Sequence, residues 1–139
     1  MSLLLEYTVT ARRVDSSGSV AGAKNAEVVL DTSLAGRLDA LNPAELLLAS
    51  LAACTIKGAE RVAPMLNFEL RGMSVRLQAV RADSPPSIKT IDYEITIDSD
   101  EPERRLELLH TNIRKFGTIS NTLAAALQLT GSIRRADNL

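Results

Sequence analysis

The run NPAELLLASLAAC, residues 42–54, ends on Cys54, the one cysteine of the chain. A thiol reacts as its thiolate, so its chemistry depends on a nearby cation, a helix N-terminus or a base. On a helix, residues three and four positions away share one face. For Cys54 these are Ser50, Leu51, Lys57 and Gly58. Lys57 could favour the thiolate, and Ser50 could hydrogen-bond the sulfur. Cys54 lies too deep in the run to use the helix N-terminus. The competing reading is plain packing: a lone cysteine among Ala and Leu is a small core residue. His110, the only imidazole, is a further candidate base, with a half-exposed structural role as its alternative.

The helix that carries the cysteine has a clear start. Asn42 is a good N-cap, Pro43 suits the first helical position, and Glu45 follows the cap by three in a capping-box arrangement. The spacing predicts a helix to about Ala63, before Pro64. Its Leu and Ala positions spread around most of the circumference. Such a helix is buried on most sides, which in a chain of 139 residues suggests a partner subunit covering part of it.

The flanking elements are strands. Residues 3–13 alternate, with Leu5, Tyr7, Val9 and Ala11 on one face and Glu6, Thr8, Thr10 and Arg12 on the other. DSSGS at 15–19 is turn chemistry. Short strands are expected near 19–23 and 27–31, and a loop over 32–41. Met73, Val75, Leu77 and Ala79 alternate with polar neighbours, and Ile91, Tyr93, Ile95 and Ile97 do so more cleanly. With the turn ADSPPS (82–87) between them, the two runs form an antiparallel hairpin with one wet face. Asp100 opens a second helix, with Leu106, Leu109, Ile113 and Phe116 on one stripe and Gly117 at its end. A shorter helix over 119–127 and a short strand over 130–135 complete one α+β domain, residues 1–139.

Composition narrows the function. Sixteen basic residues against seventeen acidic ones give a net charge of −1. No basic surface for nucleic acid or an anionic membrane is expected from that balance. One Cys and one His leave no intrachain disulfide and no ordinary metal cluster, so neither a metal nor another cofactor is expected. MSLLLEYTV is too short for a signal peptide, and no later run approaches a membrane span. A soluble cytoplasmic protein is the expectation.

NPAELLLASLAACT resembles the signature helix of the OsmC/organic hydroperoxide resistance (Ohr) family, with an Asn-Pro start, a Leu/Ala-rich helix and a Cys at this spacing. The order of elements is similar too: strands before the helix, a hairpin after it, then a second helix. That helix runs into FGTISNTLAAAL (116–127), which resembles the family's Cys-Pro-Val-Ser-Asn-x-Leu segment. The resemblance implies an OsmC-like α+β fold, with antiparallel sheets packed around long central helices in an intertwined homodimer. It also implies a thiol peroxidase site at the subunit interface. A first cysteine attacks the peroxide and becomes a sulfenic acid, a second closes a disulfide with it, and an external dithiol reduces that. An Arg and a Glu activate the first thiolate.

Carried onto this sequence, Cys54 takes the place of the attacking cysteine and Gly117 that of the second. Ala44 replaces the Glu that follows Pro in the Ohr branch, and Glu45 is the adjacent candidate. Glu45 lies about half a circle from Cys54 at ~100° per residue, and its other role is the capping box with Asn42. For the arginine, an ungapped comparison meets Ser17, with Arg12 and Arg13 shortly before it. Arg13 would enter a site only through a bulge or a register shift. Arg37, in the loop before the helix, is another donor. His110 could serve as a base across the dimer interface. Two functional readings stand. One is a one-cysteine peroxidase for organic hydroperoxides, linked to oxidative stress, with an external thiol as reductant. The other is a non-catalytic OsmC-fold protein holding a small apolar or thiol ligand at the dimer interface.

Overall fold

The computed structural model describes residues 4–137. The chain divides into two compact units, one up to Leu47 and the other from Leu48 onward.

The first unit is an antiparallel meander of β1 (Thr10–Asp15), β2 (Gly18–Ala23) and β3 (Ala26–Asp31). The Asp15 carboxylate shapes the first turn by accepting from the Ser17 N–H and hydroxyl, each at 2.8 Å. Lys24, in the second turn, takes a left-handed φ of 58°. The strand expected over 3–13 is shorter and displaced: residue 3 lies outside the described residues, and residues 4–9 are not in a strand. The pairing explains this. β2 turns back after Ala23, so its last usable partner on β1 is Thr10, paired with Gly22. Alternation alone cannot make a strand without an edge to pair with. Leu4, Leu5, Tyr7 and Val9 are consequently exposed.

The loop over 32–41 is organised by one buried carboxylate. Asp31 Oδ1 accepts from the Ser33 N–H at 3.0 Å and the Ser33 hydroxyl at 2.6 Å, and Oδ2 accepts from the Arg37 N–H at 2.9 Å. These bonds, led by the Ser33 hydroxyl, hold the Asp31 carboxyl below its usual range. The loop closes with the Asp31 N–H donating to the Leu41 carbonyl at 2.9 Å.

Helix α1 (Pro43–Met65) begins as its sequence predicts. The Asn42 N–H donates to Glu45 Oε1 at 2.9 Å, and the Glu45 N–H donates to Asn42 Oδ1 at 2.8 Å. Its end passes the expected stop. Pro64 sits inside the last turn, where its missing N–H forfeits one bond but does not prevent the helix from closing. Asn67, at φ 49°, terminates it, with the Phe68 N–H reaching the Ala63 carbonyl at 2.8 Å. Within the chain α1 buries a single stripe, Leu51, Thr55, Ala59, Val62 and Ala63, while Ile56 is exposed.

In the second unit, β4 (Gly72–Asp83) and β5 (Pro86–Asp98) form the expected hairpin. Ile91, Tyr93, Ile95 and Ile97 are buried, whereas Asp92 and Glu94 face outward. β6 (Gln128–Arg135) pairs with β5 in parallel, so this sheet is mixed rather than wholly antiparallel. The cause is the crossover: α2 (Glu103–Phe116) and α3 (Thr118–Ala124) carry the chain back before β6 begins, so it runs in the direction of β5. Leu106, Leu109 and Ile113 of α2 complete the core with Ala59, Val62 and Phe68, while Phe116, expected on that stripe, is exposed. Asp100 does not cap α2. It is drawn to Arg71, which also binds Asp98 and Glu69, and the helix starts after Pro102 without a side-chain cap.

Candidate functional site around Cys54

Cys54 is half-buried on α1. One turn onward, Gly58 faces α2: a Cβ there would make ordinary contact with Ile113, 3.4 Å from Cγ2 and 3.8 Å from Cα. The α2–α3 junction reaches the thiol, where the Ile119 N–H donates to Cys54 Sγ at 3.4 Å. A backbone donor aimed at sulfur stabilises negative charge on it. Of the neighbours named from helical spacing, Ser50 is half-buried and Lys57 exposed.

Gly117 forms the junction. Its φ of −80° is open to any residue, so the left-handed cap expected of it is not the reason for glycine. Space is the reason. A Cβ at 117 would overlap the Ser120 hydroxyl and lie 3.1 Å from the Ile113 carbonyl. The Ser120 hydroxyl donates to the Gly117 carbonyl at 3.0 Å, and the Asn121 amide reaches the Lys115 carbonyl at 3.3 Å. The position that the resemblance assigns to a second cysteine is crowded, so a side chain there must turn the Ser120 hydroxyl away.

The other candidates have partners of their own. Glu45 is held by Asn42 in the capping box. Arg37 lays its Nε and Nη2 on Asp39 at 2.8 and 3.0 Å and donates from Nη1 to the Ser17 carbonyl at 3.3 Å. The Asp39 bond raises the Arg37 pKa and lowers that of Asp39. Arg37 and Glu45 share a recess of about 440 Å³ with Leu38, Asp39 and Leu41. Arg13 is exposed on β1, beside a register shift between Arg13 and Asp15, the irregularity it would need to turn inward. His110 is committed to Tyr93, with Nε2 at 2.6 Å from the phenol oxygen. Arg114 joins them at 3.2 Å, a residue that sequence reasoning missed, although it stands one turn after His110.

Residues 35–131 match the family model described as OsmC-like protein. The chain belongs to the OsmC-like protein family. The matched span includes Arg37, Glu45, Cys54, His110 and Gly117, and leaves Arg13 outside. Solved structures share the OsmC-like fold over nearly the whole chain. An OsmC-like protein from Mycoplasma pneumoniae is 20% identical with a TM-score of 0.89, over 97% of this chain and 100% of that one. An organic hydroperoxide resistance protein from Elizabethkingia anophelis is 13% identical with a TM-score of 0.78, over 98% and 100%. The organic hydroperoxide resistance protein OhrB of Bacillus subtilis is 18% identical with a TM-score of 0.66, over 95% and 100%. At these identities the likeness is one of fold. No curated protein matches the sequence. Among the described residues, no helix of this OsmC-like chain is long and apolar enough to cross a membrane.

Proposed function

We propose that this OsmC-like chain reduces organic hydroperoxides through Cys54 alone, with an external thiol as reductant. The observation that carries the reading is the hydrogen bond from the Ile119 N–H to Cys54 Sγ, 3.4 Å long, beside a crowded junction where glycine, not a second cysteine, stands at 117. The thiolate attacks the peroxide O–O bond. One oxygen stays on sulfur as a sulfenic acid, and the alkoxide takes a proton and leaves as the alcohol. An external thiol then attacks that sulfur and releases water, leaving a mixed disulfide. A second thiol displaces Cys54 and carries both oxidising equivalents away as its own disulfide.

A guanidinium beside the thiolate would hold it and the peroxide in place. Arg13 and Arg37 are the candidates that the sequence offers for it, and the Nε/Nη2 edge of Arg37 is occupied by Asp39. Glu45 serves this account as a helix cap first. A homodimer fits the exposure of Leu4, Leu5, Tyr7 and Val9 ahead of β1 and of Ile56 on α1, all apolar surface that a second copy would cover. Stopped-flow consumption of cumene hydroperoxide by the reduced protein, with dihydrolipoamide present, tests the reading. Wild type should consume peroxide and Cys54→Ser should not. Equal rates would leave the alternative, an OsmC-fold binder of a small apolar or thiol ligand.

A further inference from the structure

One group of ionisable side chains in the second unit is built on a single phenol. Tyr93 is buried at the centre of β5, paired with Gly131 of β6. A Cβ at Gly131 would fall inside the Tyr93 ring. Glycine there lets the ring lie flat across β6 and carry its oxygen to α2. On α2 two residues one turn apart receive it: His110 Nε2 at 2.6 Å and Arg114 Nη1 at 3.2 Å. The imidazole meets the ring edge-on, at 89° and 5.5 Å between centroids, and the guanidinium carbon lies 5.8 Å from the ring centroid.

The protons in this cluster have a fixed sense. A guanidinium can only donate, so the phenol oxygen accepts from Arg114. The phenol's own proton then needs an acceptor, and Nε2 of a neutral imidazole supplies it. Burial keeps His110 below its ordinary range, with Glu107 opposing and Arg114 reinforcing that direction. The charged groups that act on the imidazole are Glu107 and Arg114, both on α2, and its hydrogen-bond partner is Tyr93 of β5.

We infer that Tyr93, His110 and Arg114 form a pH-sensitive latch that fastens the C-terminal half of α2 to the β5–β6 pair and opens when His110 gains a proton. An imidazolium cannot accept the phenol proton, and it sets a second cation against the oxygen that Arg114 already occupies. The released segment leads through Gly117 to Ile119, whose N–H holds Cys54 Sγ. Acidification therefore loosens the donor at the thiol. That chemical consequence rests on Cys54 being the reactive group, whereas the latch itself does not.

Hydrogen exchange of the backbone amides, corrected for intrinsic pH dependence, separates the two. Between about pH 7.5 and about pH 5, exchange over residues 110–119 of the wild type should rise ~10-fold or more relative to the β4–β5 hairpin. His110→Gln still accepts the phenol proton but does not titrate, and it should abolish that segment-specific rise. Arg114→Gln removes the opposing cation and should weaken the rise, a second readout should His110→Gln fold poorly. A wild type without the rise, or an Arg114→Gln or His110→Gln protein that keeps it in full, would overturn the latch. Neither outcome depends on peroxide activity.

Discussion

Ile119 gives its backbone N–H to the sulfur of Cys54 across 3.4 Å, tying α3 to α1 at one atom. The donor is preorganised by the turn after Gly117, so it costs no side-chain entropy to aim. Ile119→Pro removes it in the first turn of α3, where the Ile119 N–H has no partner within the helix. The expected result is a lower alkylation rate of Cys54 by iodoacetamide at fixed pH, with unchanged helix content by circular dichroism. An unchanged rate would mean that the bond does not favour the thiolate.

The tight junction at Gly117 predicts that a small addition is costly. Gly117→Ala must turn the Ser120 hydroxyl away, breaking its bond to the Gly117 carbonyl, and still presses on the Ile113 carbonyl. We expect a loss of about 1–3 kcal/mol, read from urea unfolding. Adding Ser120→Ala should recover part of it. A neutral Gly117→Ala would show that the junction has room, and with it room for a second thiol.

Glu45 has a reciprocal pair of bonds with Asn42. Glutamine preserves that geometry and removes the charge. Glu45→Gln should therefore keep both the stability and the peroxide turnover of the wild type, whereas Asn42→Ala should cost ~1 kcal/mol of stability. Turnover lost in Glu45→Gln with the fold intact would assign the carboxylate a chemical role instead.

The loop over 31–37 depends on an ionised carboxylate. Because hydrogen bonds from Ser33 and Arg37 lower the Asp31 pKa below 3.8, its contribution is fully present above that value. It is lost as pH falls through the lower folded value. Urea midpoints measured from about pH 6 to about pH 2 should drop more steeply below about pH 4 in the wild type than in Asp31→Asn. Parallel curves would indicate that Asp31 titrates alike in both states.

Local signals read well where the chain satisfies its own bonds. The capping box of α1, the alternation of β5 and the stripe of Leu106, Leu109 and Ile113 all stand as their spacing predicts. The failures fall where a non-local partner decides. Residues 4–9 have strand periodicity but no strand to pair with after β2 turns back. Asp100 looked like a cap but is claimed by Arg71, 29 residues earlier. The parallel pairing of β6 depends on a crossover that no local pattern encodes. The place of Cys54 on α1 was legible from the helix signals around it, whereas the Ile119 donor is a main-chain group without a sequence signature. The crowding at Gly117 was equally hidden, because it arises from how Ser120 and Ile113 fold back on it.

The central claim is that Cys54 takes an oxygen atom from an organic hydroperoxide. Its most direct test is to treat reduced protein with one equivalent of cumene hydroperoxide in the presence of dimedone and to map the adduct by mass spectrometry. The account predicts a dimedone thioether on Cys54, lost when an external thiol is supplied first to resolve the sulfenic acid. An unmodified Cys54, with peroxide left unconsumed, would contradict it.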